Sequence, residues 1–313
     1  MTTPGWWAMA LCEAVNDQTP LAVAFGGEEL VLFRNAAGQA FALEDRCPHR
    51  RVPLALGRVV ESGLQCGYHG WTFDGASGGC TKIPNLHADE RVPPRYAARA
   101  FAVREANGFV HVWLGEGTPH GELPSSDYLP IGREFTGSTI VNMSHDQYLA
   151  AMLDGPECLL GFAHVRLTDF FLGDLRSEQG RVVLERGAVW TTQLLPSQFV
   201  VDYPLIVRTA VPLSGGSVRV DLLSEDELPL ITLMIATGAN RRGTTSLCWR
   251  GFVHDRLPVH APLRWRFART RKQAPFQVKN LIDGVAVAAL LQAPSRDLRA
   301  MRRPHLIAAS AVV

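Results

Sequence analysis

Hydrophobic positions along the first third of the chain come in short runs broken by turn formers. Residues 21–25, 30–33, 40–43, 101–104 and 109–114 are such runs, separated by Gly26-Gly27, residues 36–38 and Asn107-Gly108. Runs of this length between turns predict strands. Asn107-Gly108, between Val103 and Val110, predicts a tight hairpin because both residue types tolerate positive φ. Residues 115–126, rich in Gly, Pro and Ser, read as a linker.

Beyond the linker the periodicity is mixed. Tyr148, Leu149, Met152 and Leu153 recur at helical spacing, whereas residues 182–185, 199–202, 218–222 and 230–235 read as strands. The apolar stretch 228–236 predicts a buried strand. Residues 276–291 carry Val278, Leu281, Ile282, Val285 and Leu290 at helical intervals, and Pro294 ends the pattern. The expected class is α+β. An antiparallel β domain over 1–118 is followed by a helix-on-sheet domain of helix-grip type over 119–313.

Composition narrows the function classes. Charged residues make up 19% of 313, below the ~25% of a typical soluble chain, which favours a protein that hides surface in an oligomer. With 31 basic and 30 acidic residues, no global field draws the chain to nucleic acid or anionic lipid. No window reaches the ~18 apolar residues of a membrane helix. Trp6 and Trp7 lie near an N-terminus that lacks a basic n-region, so export by the general secretory route is not expected and a cytoplasmic protein is. Six cysteines are too few for a disulfide framework at this length.

Two of those cysteines stand beside histidines, in Cys47-Pro48-His49 and Cys66-Gly67-Tyr68-His69, with sixteen residues between the pairs. Each pair follows a strand-like run and is enclosed by turn formers. Two converging loop tips would bring together two thiolates and two imidazoles. Structural zinc takes such a set, but usually with both cysteines on one knuckle. One pair per loop suits a two-iron cluster with both thiolates on one iron and both imidazoles on the other. Four unrelated residues in turns is the third reading. Cys12, Cys80, Cys158 and Cys248 lack such spacing and are expected to be buried thiols.

The motif Cys47-Pro-His-Arg50 with Pro53-Leu54 and Gly57, then Cys66-Gly-Tyr-His-Gly-Trp71 with Phe73 and Gly75, resembles that of Rieske non-haem iron oxygenases. Ile83-Pro84, Asn107-Gly108-Phe109-Val110 and Val112-Trp113 resemble the flanks of the vanillate demethylase-like terminal oxygenases. Arg51 departs from the pattern, since the family generally carries a small residue there. The resemblance implies a [2Fe-2S] Rieske cluster on Cys47, His49, Cys66 and His69. It also implies electrons from an NAD(P)H-dependent reductase or ferredoxin, and a trimer in which they pass to a neighbouring subunit. There a mononuclear Fe(II) would use O₂ to hydroxylate, demethylate or oxidise a small organic substrate. Association with a related subunit in a hetero-oligomer is the other expected assembly.

For that iron the family uses an acid, a histidine three residues later, a second histidine five beyond, and an Asp on the final helix. Gly161-Phe162-Ala163-His164 resembles the second histidine's surroundings, and Asp283 lies in the final predicted helix. Aligned without a gap, the first histidine falls on Leu159 and the acid on Pro156. With two residues inserted, the acid is Asp154 and Glu157 replaces the histidine. His145 is a more distant substitute. The candidate set is therefore Asp154, Glu157, His164 and Asp283. Two functions follow: an oxygenase with an altered iron site, or a catalytically degenerate relative that carries electrons or assembles with an intact oxygenase subunit.

Overall fold

The computed structural model describes residues 4–254, except 62, 88–89, 122, 124–131, 157–158, 163–164, 191–202, 214–216 and 241–242, together with 278–279. The chain divides into two compact units. One comprises Met1–Tyr128, Ser214–Gly216 and Ala236–Arg242, and the other Leu129–Leu213, Ser217–Ile235 and Gly243–Val313.

The first unit holds eleven strands among the described residues: β1 (Gly5–Leu11), β2 (Leu21–Phe25), β3 (Glu28–Arg34), β4 (Ala40–Glu44), β5 (Arg58–Val60), β6 (Gly63–Gln65), β7 (Thr72–Phe73), β8 (Cys80–Lys82), β9 (Ala100–Phe101), β10 (Val103–Ala106) and β11 (Phe109–Leu114). They form three antiparallel sheets in the orders β1-β11-β10, β2-β3-β4-β9 and β5-β6-β7-β8. Asn107 and Gly108 both take positive φ, 55° and 75°, and Ala106 pairs with Phe109. This is the two-residue hairpin the dipeptide predicts. The expected strand 101–104 divides in two. β9 pairs with β4, β10 pairs with β11, and the carbonyl of Ala102 between them accepts from the Trp113 amide.

Why β3 reads as a continuous apolar run becomes clear from its two faces. Leu30 and Leu32 point into one core with Trp7, Ala42, Val110 and Val112. Val31 and Phe33 point into a second core with Leu43, Leu54, Leu64 and Phe73. Successive side chains of a strand face opposite ways, so a strand between two cores needs apolar residues at every position. The second core also contains Cys47, Cys66 and Trp71.

The second unit contains β12 (Arg133–Val141), α1 (His145–Asp154), β13 (Gly161–Phe162), β14 (Val165–Leu172), β15 (Arg176–Glu178), β16 (Arg181–Trp190), β17 (Tyr203–Pro212), β18 (Ser217–Ser224), β19 (Pro229–Ala239, of which the part up to Ile235 belongs to this unit), β20 (Thr245–Val253) and β21 (Val278–Lys279). Its main sheet runs β12-β20-β19-β18-β17-β16-β14, with β15 also on β16. The Ser144 hydroxyl and the Gln147 side chain form a reciprocal capping box at the start of α1, which satisfies two orphan amides. Gly155 closes the helix, and its amide donates to Ala151. Tyr148, Met152 and Leu153 bury the apolar stripe with Leu205 and Val207 of β17. All of β19 between its end residues is buried, as the stretch 228–236 predicts.

Among the described residues the unit is a sheet with one α-helix on it. Within the predicted helix 276–291 only Val278–Lys279 is described, and there the expectation is corrected. The pair is a short strand against Gly161–Phe162, so pairing with a remote strand outweighs the helical spacing of apolar residues at these two positions.

Candidate metal centre

Cys47 and Cys66 open two loops of the same construction. The Cys47 amide donates to the Val52 carbonyl, and the Cys47 carbonyl accepts from the Arg51 amide. The Cys66 amide donates to Trp71, and the Cys66 carbonyl accepts from Gly70. The fourth residue after each cysteine is left-handed, with φ of 59° at Arg51 and 71° at Gly70. Each loop thus reverses within six residues and turns its cysteine inward. Gly67 lets the second loop pass close to the turn that follows the first: a Cβ there would stand 2.6 Å from the Leu56 carbonyl oxygen.

The loops sort their four candidate ligands by depth. Cys47 and Cys66 are each 2% exposed, whereas His49 and His69 lie at the surface. Cys66 is one of the neighbours that raise the Cys47 thiol, and the imidazole centroids are 4.7 Å apart. Among the described residues no three His, Cys, Asp or Glu side chains converge on one point. They meet two and two instead. That pairing fits the ligand arrangement of a two-iron cluster.

Electrostatics differ between the two kinds of candidate ligand. Burial, opposed by backbone amides of His49 and Arg50 aimed at the sulfur, pushes the Cys47 thiol up to about 11. The amides offset only part of that burial, so the thiol is held protonated, and a metal binding there would have to displace the proton. Desolvation, then the neighbouring His69 and Arg50, holds the exposed His49 imidazole below the usual histidine range. Neutral imidazole is the metal-binding form.

Aromatic neighbours fix the exposed side. His49 lies flat on Trp71, with centroids 4.6 Å apart and planes within 4°. Tyr96 meets Trp71 edge-on at 5.0 Å. Trp71 is in the core, whereas Tyr68 is 62% exposed and lies against His69, 4.0 Å centroid to centroid. The Trp71 stack was not legible in the motif, where only its proximity to the histidines could be read. Of the other cysteines, Cys248 is buried and Cys12 and Cys80 are only half-buried, so the expectation for those two is corrected. Cys158 lies outside the described residues.

The second candidate site is only partly described. Glu157, His164 and Asp283 lie outside the described residues. Asp154 closes α1, its carboxylate 3.8 Å from the Arg186 guanidinium, which also donates to the Leu153 carbonyl at 2.8 Å. His145 begins α1, and burial holds its imidazole below the ordinary range. Leu159 is buried in the core of the unit. Beside it lies a small apolar pocket lined by Pro156, Leu160, Phe162, Val165, Leu167 and Val207.

Comparison with known proteins gives this geometry a context. The Rieske [2Fe-2S] domain model matches residues 5–101. Over 117 residues the chain is 38% identical to protein TIC 55 of Pisum sativum, covering 37% of this chain and 21% of that protein. It is 36% identical over 128 residues to the 3-chlorobenzoate-3,4-dioxygenase oxygenase subunit of Comamonas testosteroni, covering 40% of this chain and 29% of the relative. The chain thus spans less than a third of the length of these curated relatives. Dicamba monooxygenase bound to 3,6-dichlorosalicylic acid superposes with a TM-score of 0.67 at 20% identity, over 96% of this chain and 91% of that one. Residues 5–101 are therefore similar to Rieske [2Fe-2S] domains, and the chain shares the fold of dicamba monooxygenase.

Proposed function

We propose that Cys47 and Cys66 bind one iron of a [2Fe-2S] cluster and His49 and His69 the other. In this reading the chain is the terminal component of a Rieske-type monooxygenase, supplied by an NAD(P)H-dependent reductase or a ferredoxin. The observation that carries it is the pairing of two buried thiols and two surface imidazoles on loops of one construction. Such a cluster supplies one-electron transfer when bound, and a mononuclear iron supplies O₂ activation. The protein's part is positional. Buried cysteines exclude water from one side, while exposed histidines leave the other open to an electron partner. The apolar pocket beside Leu160 and Phe162 suits the hydrocarbon part of a small substrate. Asp154, Glu157, His164 and Asp283 are the proposed surroundings of the second iron.

The test is metal content on anaerobically purified protein. About three irons and two acid-labile sulfides per chain are expected, with two irons in the cluster. His69→Ala should abolish the EPR signal of the reduced cluster. Zinc without sulfide would overturn the assignment.

Leu159 favours the second reading, a degenerate relative that carries electrons or assembles with an intact subunit. It stands where the ungapped alignment calls for a histidine, and it is 2% exposed among apolar neighbours. About two irons per chain in the native protein, rising to about three in Leu159→His, would establish that reading instead.

A further inference from the structure

Between the two cysteine loops the chain makes a short helical turn, Leu54–Leu56. Leu54 is buried in the same core as Cys47 and Cys66. The far end of the turn belongs to the second loop. Arg58 pairs with Gln65, the residue before Cys66. Backbone meets backbone on that side. A Cβ on Gly57 would stand 2.0 Å from the Gln65 carbonyl oxygen, and one on Gly67 would stand 2.6 Å from that of Leu56. Glycine is the residue that permits approaches this close.

The near end of the turn needs another tie. The first amides of a helical turn find no partner within it, and the residue before this one is Pro53, whose side chain supplies no cap. Asp45 supplies one from ten residues upstream: the Ala55 amide donates to Asp45 Oδ1 at 2.7 Å. Asp45 directly follows β4 and stands two residues before Cys47. Its own amide donates to the Glu29 carbonyl on β3, so the carboxylate hangs from a fixed sheet. Apolar packing does not replace this tie at the outer end of the turn, because Leu56 is 76% exposed. A charged acceptor also bonds an amide more strongly than a neutral one. We propose that Asp45 is a positioning residue. It clamps residues 54–57 as a spacer that sets the separation of the Cys47–His49 loop from the Cys66–His69 loop, and with it the placement of the four candidate ligands. This role rests on the proposed cluster, whereas the clamp itself is made of protein atoms alone.

The test uses the full chain, purified anaerobically. Its readouts are hydrogen–deuterium exchange over residues 52–57 and 65–71 and the EPR spectrum of the reduced cluster. Asp45→Ala should speed amide exchange over 65–71, where no bond to Asp45 is lost, by about tenfold or more, the loss one bond to a charged group accounts for. Exchange in β11 should stay as in the wild type. The EPR lines should shift and broaden, and iron transfer to a chelator should quicken ~10–100-fold. Asp45→Asn keeps an acceptor oxygen for Ala55 and should restore most of each. Gly67→Ala pushes on the turn from the other side. It should speed exchange at Ala55, and it should add little to Asp45→Ala, because a loosened turn can yield. An Asp45→Ala protein that melts earlier but keeps wild-type exchange over 65–71 and wild-type EPR lines overturns the proposal. So does Asp45→Asn behaving like Asp45→Ala, or strict additivity with Gly67→Ala. Should Asp45→Ala fail to fold, Gly67→Ala decides through exchange at Ala55. A wild type without iron and sulfide would overturn the proposed function instead, and the exchange measurements, which need no cluster, would still decide the role of Asp45.

Discussion

Arg51 and Gly70 occupy the same position in two loops of one construction, each four residues after its cysteine and each with its amide bonded to that cysteine's carbonyl. Both are left-handed, yet only Gly70 is a glycine. An L-residue in that region costs about 1–2 kcal/mol, less whatever a glycine would lose in the unfolded chain. Arg51→Gly should therefore stabilise the first unit by roughly 0.5–1 kcal/mol in denaturant titration. Gly70→Ala should do the reverse by ~1–2 kcal/mol, because its Cβ would also stand 3.1 Å from Pro84 Cγ.

Trp71 links the core to the exposed imidazole, since it is packed among buried residues and stacked on His49. Trp71→Ala should destabilise the unit by ~3–5 kcal/mol. Trp71→Phe, which keeps a flat face for His49, should lose less. Thermal unfolding followed alongside visible absorption checks whether cluster loss tracks the missing ring face.

His111 makes the first unit sensitive to acid. Burial lowers its imidazole to about 4, against 6.5 for an ordinary histidine, despite a bond to the Phe109 carbonyl. The unfolded chain therefore takes up this proton first as pH falls. The stability at stake is present above pH 6.5, is lost between about 6.5 and 4, and amounts to something on the order of 3 kcal/mol. In His111→Gln the pH dependence of unfolding should flatten across that window. An equally steep curve in the variant would assign the acid sensitivity elsewhere.

Arg186 holds the end of α1. Its mostly buried guanidinium bonds the Leu153 carbonyl and faces Asp154, a charge-assisted contact at a helix C-terminus. Arg186→Met should cost ~2 kcal/mol. Amide exchange should accelerate first in the last turn of α1, with the capping box at Ser144 left protected.

By itself the sequence determined the features that rest on local chemistry. Asn107-Gly108 specified its hairpin because few other residues accept two consecutive positive φ values. Tyr148, Met152 and Leu153 specified α1 because one face repeats within four residues. The Cys47–His49 and Cys66–His69 spacing singled out the four candidate ligands, since the motif is contained within two short loops. What the tertiary structure decided is what depends on partners distant in sequence. The split of residues 101–104 between two sheets follows from which strand each half meets, β4 or β11. Val278–Lys279 is extended where it pairs with Gly161–Phe162, a partner more than a hundred residues away that no periodicity records. The stack of His49 on Trp71 requires both loops to be closed. In each of these the residue types permit several outcomes, and the backbone hydrogen bonds and contacts supplied by remote segments select one.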